Sequence, residues 1–180
     1  MKVVKKTTKW CKSSRKSHFR DELISIFPKS LQKGYIPGMF YGQAKHSIDA
    51  KGRVILPSKY REDLGESFFV LRGFEKCLFV YTKEDYKELE AKIKALPISN
   101  DGGRLQRYIF NYTELVTADK QGRFVIPPGL REFAGLTKDI IIAGVSSRIE
   151  IWDVDEYEKY EKQTEDEPQK LSEILEIFGI

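Results

Sequence analysis

Asp49-Ala50-Lys51-Gly52-Arg53-Val54-Ile55-Leu56-Pro57 and, 70 residues later, Asp119-Lys120-Gln121-Gly122-Arg123-Phe124-Val125-Ile126-Pro127 are two versions of one pattern. Sliding the chain against itself extends the match over 47–65 and 117–135, with seven of nineteen positions identical. Background composition gives about one or two identities by chance. After one inserted residue the correspondence resumes: Gly73 over Gly144, Leu78 over Ile149, Val80 over Ile151, Tyr81 over Trp152 and Tyr86 over Tyr157. A whole supersecondary unit is duplicated.

Each unit has a local reading. Gln43–Ile48 and Arg53–Leu56 are rich in β-formers and flank an Asp-x-x-Gly turn, which predicts a hairpin. Aspartate at the first turn position accepts turn N–H groups, and glycine at the fourth takes positive φ. Asp49, Gly52, Asp119 and Gly122 are therefore the turn-supporting residues. Pro57 and Pro127 end the strand, since proline cannot donate to a ladder. Short helices are predicted over 59–64 and 130–134, each closed by a glycine, Gly65 or Gly135. A second hairpin pairs 68–71 with 77–81, and its mate pairs 140–143 with 148–152. Thr82 and Asp153 stand at N-cap positions, and Asp153 to Glu156 has the form of a capping box. Helical spacing predicts helices over about 84–95, 105–112 and after Pro168, with a breaker-rich linker at 97–103 between the first two. The last carries an apolar stripe, Leu171, Ile174, Leu175 and Phe178, which needs a partner surface.

The bulk numbers narrow the class. The chain has 180 residues, 41% hydrophobic and 12% aromatic, and a net charge of +4. No apolar run approaches the roughly 18 residues of a bilayer span, so the expectation is a protein outside the membrane. The two cysteines form neither a disulfide framework nor a metal-ligand spacing, which suits a reducing cytoplasm. The charge is unevenly spread: net +8 over residues 1–38, +4 over 39–149 and −8 over 150–180. The basic balance therefore comes mostly from the N-terminal segment, and any nucleic-acid argument for the body must rest on local clusters. Residues 1–38 read as a disordered basic arm, either a nucleic-acid- or partner-binding segment or sequence upstream of a working start at Met39, where organised patterning begins. The pattern favours the second.

No catalytic constellation stands out. His46 has Val116 as its repeat mate and reads as a half-buried structural histidine. Cys77 is matched by Arg148, and Gly102-Gly103-Arg104 lacks the preceding strand of a phosphate loop. The expectation is no enzyme, no cofactor, no metal and no small-molecule substrate.

The arginines carry more. Lys51, Arg53, Lys59 and Arg61 fall within eleven residues, and Lys120, Arg123 and Arg131 recur in register. An arginine just after a turn glycine can reach outward to phosphates or to guanine O6/N7, which its planar fork fits bidentately. The bland alternative is that Arg53 and Arg123 only pair with Asp49 and Asp119; both can hold at once. Lys59 and Arg61 read equally as a solvated helix face or as DNA contacts. The candidate DNA-binding set is Arg53 and Arg123, with Lys51, Lys120 and Gln121 at the turn tips.

The two Asp-x-x-Gly-Arg-x-x-x-Pro stretches, with Tyr60-Arg61-Glu62, Arg131-Glu132-Phe133-Ala134-Gly135-Leu136 and Arg148-Ile149-Glu150-Ile151-Trp152, resemble the MraZ family of bacterial regulators from Met39 to the C terminus. The resemblance implies a mixed α/β, mainly β fold. It would consist of two tandem swapped-hairpin, AbrB-like β-barrel units with short flanking helices and pseudo-two-fold symmetry. It divides the chain into 39–96 and 114–160 as SpoVT-AbrB-like domains, 97–113 as linker and helix, and 161–180 as an acidic C-terminal helix. It also implies a cytoplasmic, nucleoid-associated homo-oligomer, closed into a ring. That assembly would bind direct repeats in double-stranded DNA upstream of the family's own cell-division and cell-wall operon. Its Asp-x-x-x-Arg motif falls on Asp49/Arg53 and Asp119/Arg123. Two further readings stay open: an AbrB-like antitoxin, and a ring-forming scaffold that does not bind DNA.

Overall fold

The computed structural model describes residues 39–98 and 100–178; the basic N-terminal segment lies outside them. Among the described residues eight strands and six helices follow in order: β1 (Phe40–Ser47), β2 (Arg53–Ile55), α1 (Ser58–Leu64), β3 (Ser67–Arg72), β4 (Cys77–Tyr81), α2 (Lys83–Lys94), α3 (Asn100–Phe110), β5 (Thr113–Thr117), β6 (Arg123–Val125), α4 (Pro128–Phe133), β7 (Asp139–Ser146), β8 (Arg148–Asp153), α5 (Val154–Asp166) and α6 (Pro168–Phe178). The fold is mixed α/β, built around strands.

Six strands make one antiparallel sheet in the order β1-β7-β8-β4-β3-β5, and β2 pairs with β6 in a separate two-stranded ribbon. The expected second hairpins are present as β3–β4 and β7–β8, joined at the centre by β4–β8. The first hairpins are corrected. β1 and β2 flank the Asp49 turn but share no ladder: β1 runs along β7, and β2 along β6 from the other repeat. The cause is burial. Val54 and Phe124 face each other across the ribbon and are both buried, so each repeat's short strand uses its mate to cover its apolar side chain. Both sheets stay open, with β1 and β5 as edges of the larger one, and no closed barrel forms among the described residues.

The strand alternation divides the core in two. Val70, Leu78, Val80, Ile140, Ile142, Ile149 and Ile151 point to one face of the sheet, where the ribbon, α1 and α4 pack. Leu71, Phe79, Tyr81, Ile141 and Trp152 point to the other face, against residues of α2, α3 and α5. β4 is buried at all five positions because it is central and covered on both sides.

Two local readings change at helix starts. α3 begins at Asn100, not near Leu105, and takes in Gly102 and Gly103. These glycines lie against the Pro97 and Ile98 carbonyl oxygens, where a Cβ has no room. Close packing against the linker between α2 and α3 therefore overrides their helix-breaking tendency. Thr82 caps α2 as expected, accepting from the Asp85 N–H at 3.0 Å while its hydroxyl donates to the Asp85 carboxylate at 2.7 Å. Asp153 caps α5 through the Asp155 N–H at 3.1 Å. Glu156, expected to close a capping box, instead pairs with Lys159 at 2.7 Å. The other Asp153 oxygen accepts from the Thr137 N–H and hydroxyl. Burial pushes its carboxyl up, but these hydrogen bonds together hold it below its ordinary value.

β1 lies so close to β7 that one position tolerates nothing larger than hydrogen. A Cβ on Gly144 would stand 2.5 Å from the Phe40 carbonyl carbon and the Tyr41 nitrogen, and 2.7 Å from the Tyr60 hydroxyl oxygen. That hydroxyl donates toward the Tyr41 and Gly42 carbonyls. Two of the three obstructing atoms are backbone, so Gly144→Ala is expected to push β1 outward and cost about 1–3 kcal/mol. Urea unfolding of the variant beside the wild type measures it; an unchanged midpoint would contradict the close approach.

Candidate nucleic-acid interface

The two turns are built alike. In the first, Asp49 Oδ1 accepts the Lys51 and Arg53 N–H groups at 2.8 and 2.9 Å, and Oδ2 accepts Arg53 Nε at 2.7 Å. In the second, Asp119 Oδ1 accepts the Gln121 and Arg123 N–H groups, each at 2.9 Å, and Oδ2 accepts Arg123 Nε at 2.8 Å. Gly52 and Gly122 both have φ of 75°, a conformation that disfavours a side chain, and their N–H groups close the turns onto the Asp49 and Asp119 carbonyls. The anticipated Asp–Arg pairing is thus present. It engages only the Nε edge of each guanidinium among the described residues, and each arginine side chain keeps 38% of its surface exposed.

The ribbon brings the two arginines together. Arg53 stands opposite Val125, and Arg123 opposite Ile55. Alternation buries Val54 and Phe124 and turns the other four residues to the outer face. Arg53 and Arg123 are diagonal neighbours there, a spacing of about 7–8 Å between such positions in an antiparallel pair. Ile55 and Val125, 46% and 50% exposed, share this face. Charge alone does not single out these two; the alternation of the strand is the signal in the sequence that marks them.

Lys51, Lys120 and Gln121 are exposed at the turn tips, the first and last with their backbone N–H held by the turn aspartate. Lys59 is not part of this face: its ammonium donates to the Tyr41 carbonyl at 2.8 Å and lies 4.6 Å from the centre of the Tyr60 ring. Arg61 and Arg131 lie against the turn glycines. His46 is half-buried opposite Ile140, and burial, then the nearby Arg61 charge, lowers its pKa, as suits a structural histidine. Cys77 is fully buried, and burial first, then Glu150 and Glu75, pushes its thiol up to about 12, which leaves no reactive thiolate at neutral pH.

The turn carboxylates respond to pH in a defined direction. The Arg53 N–H bond, chiefly, lowers the Asp49 pKa, and the Arg123 N–H and side-chain bonds lower that of Asp119. A depressed folded-state pKa contributes stability above the unfolded value, lost as pH falls through the lower folded value. The Lys51, Arg53, Gln121 and Arg123 amide resonances are therefore expected to stay constant from neutral pH down to the ordinary carboxylate range of about 4, and to move only below it. A proton–nitrogen correlation titration reads this directly. Movement centred at or above the ordinary value would show the turns less tightly bonded.

The arrangement defines a class: a duplicated turn-and-ribbon binding protein, with paired arginines on a shared outer face. The family model described as MraZ protein, antitoxin-like, matches residues 39–107 and 109–174. The chain belongs to the MraZ family. A protein of Acetivibrio thermocellus named transcriptional regulator MraZ is 46% identical over 143 residues, which are 79% of this chain and the whole of that relative. Relatives of the same name in a Thermoanaerobacter species and in Natranaerobius thermophilus are 44% and 41% identical over the same shares.

Proposed function

We propose that this chain is a sequence-specific DNA-binding transcriptional regulator that reads double-stranded DNA with Arg53 and Arg123. The observation that carries the reading is the pair of guanidinium groups on the outer face of the β2–β6 ribbon, each oriented by an aspartate through Nε and, among the described residues, open along its other edge. Orientation by a local carboxylate reduces what an arginine loses in freedom on binding, and the open edge matches guanine O6/N7 or a phosphate. Lys51, Lys120 and Gln121 add contacts at the turn tips. The name carried by the relatives supports the regulatory role and argues against an enzyme.

The finer reading follows the family resemblance. The targets are direct repeats upstream of the chain's own cell-division and cell-wall operon, and the working form is a ring-shaped homo-oligomer in the cytoplasm, associated with the nucleoid. Residues 39–96 and 114–160 act as paired SpoVT-AbrB-like units, with β2 and β6 as the exchanged strands of a swapped-hairpin arrangement. One chain offers only two turns, so repeated sites and assembly together supply useful specificity. Exposed Leu171, Ile174, Leu175 and Ile177 on α6 support assembly, since a lone chain leaves them in water.

Fluorescence anisotropy with labelled DNA from the chain's own upstream region, against a shuffled duplex at the same salt, tests the reading. Preference for the upstream duplex is expected, with affinity falling on a log–log salt plot by about 0.9 for each phosphate neutralised. Equal, salt-insensitive affinities would favour the scaffold. The antitoxin reading, which the wording of the family's description leaves open, requires a toxin gene alongside.

A further inference from the structure

The second arginine of each repeat reaches into the other repeat's turn. Arg61 lies on α1, and its Nε donates to the Leu56 carbonyl at 2.9 Å. The Leu56 N–H donates to the Gly122 carbonyl, also at 2.9 Å. The guanidinium itself lies over Gly122: a Cβ there would stand 2.5 Å from Arg61 Nε and 2.7 Å from its Cδ. The mirror contacts exist. Arg131 on α4 places Nη1 3.0 Å from where a Gly52 Cβ would stand, and the Ile126 N–H donates to the Gly52 carbonyl at 3.1 Å. The Nε bond to the strand backbone is seen only for Arg61 among the described residues, so the Arg61 clamp is the tighter of the two.

We infer that Arg61 and Arg131 are crossed positioning residues: Arg61 holds the Arg123 turn and Arg131 holds the Arg53 turn, so the two turns are set as a pair. The role in binding rests on the DNA-reading function proposed above; the crossed placement does not. Arg61 holds the Leu56 carbonyl while the Leu56 N–H donates to Gly122, so the opposing turn is tied to a residue whose backbone the arginine immobilises. A planar guanidinium suits this because it can bond through Nε while lying flat on a glycine. An ammonium keeps the charge but lacks both features. That difference separates positioning from simple attraction to phosphate.

The test uses the full chain carrying Arg61→Ala or Arg61→Lys, each alone and combined with Arg53→Ala or Arg123→Ala. In the free protein, either Arg61 substitution is expected to speed amide exchange of Gly122 and Arg123 at least about fivefold and leave Gly52 and Arg53 within about twofold. Arg131→Ala should do the reverse, more weakly. On DNA, either Arg61 substitution should lower affinity about five- to tenfold, keep most of that loss on top of Arg53→Ala, and add less than about twofold once Arg123 is gone. Equal loosening of both turns, or loosening confined to the 49–53 turn, overturns the crossed placement. Full recovery of affinity in Arg61→Lys overturns positioning and makes Arg61 a phosphate contact. If the wild-type chain prefers no DNA, the proposed function fails, and amide exchange still decides the placement. Should Arg61→Ala not fold, Arg61→Lys carries both readouts.

Discussion

Replacing Arg53 and Arg123 together by alanine is expected to reduce binding to the upstream DNA to the level of a shuffled duplex while the protein stays folded. Each bidentate arginine–guanine contact is worth about 1–3 kcal/mol of discrimination, or roughly 5- to 150-fold in affinity. Either single variant should therefore lose most of the preference, and the double variant nearly all of it. The two positions are diagonal neighbours on the ribbon, so their losses are not expected to add exactly as independent sites would. The salt plot tells which group each arginine touches. A phosphate contact removes about 0.9 from the slope when deleted, whereas a base contact leaves the slope and erases the choice of sequence. Folding should change little, because both pairs lie at the surface with side chains 38% exposed or more, and exposed ion pairs contribute little to stability. Unchanged affinity in the folded double variant would remove the assignment.

The second large effect is on stability. Phe124 is 2% exposed, faces Val54 across the ribbon and meets Phe68 edge-on, with ring centroids 5.2 Å apart and planes at 87°. It joins the ribbon to the face of the six-stranded sheet. Phe124→Ala is expected to cost about 3–5 kcal/mol, from lost burial and the cavity left behind. Against the 5–15 kcal/mol typical of a domain this is a large fraction. A lower urea midpoint at constant slope measures it. DNA affinity should fall too, although Phe124 is on the buried side, because the ribbon bearing both arginines would no longer be held flat on the sheet. Phe124→Leu should recover much of both losses. An unfolding free energy within about 10–15% of wild type, the scale of extrapolation error, would mean the ribbon is anchored elsewhere.

The sequence shows local features best. Asp49 and Arg53 are four residues apart around a glycine, so turn and ion pair form within one short segment and need no information from elsewhere. The same holds for Asp119 and Arg123, and duplication made the inference stronger than one copy would allow. Thr82 as a cap was legible for the same reason. Glu156 was not, because Lys159, one turn further along α5, competes for its carboxylate. The start of α3 is not legible, because Gly102 and Gly103 look like breakers until the chain before them packs against their missing side chains.

The sequence by itself therefore determined the repeat, the two turns and the residues that shape them. Only the tertiary structure decided which strand each of these short runs pairs with. Val54-Ile55-Leu56 and Phe124-Val125-Ile126 satisfy the same alternation, and a ladder with the preceding strand or with the other repeat meets it equally well. The exchange depends on which pairing covers both apolar side chains on the sheet, and that is a property of the assembled core. Bringing Arg53 and Arg123 onto one face, and Arg61 and Arg131 onto each other's turns, follows from that exchange. These contacts join residues about 60–80 positions apart, whose approach depends on packing and leaves no local pattern in the chain.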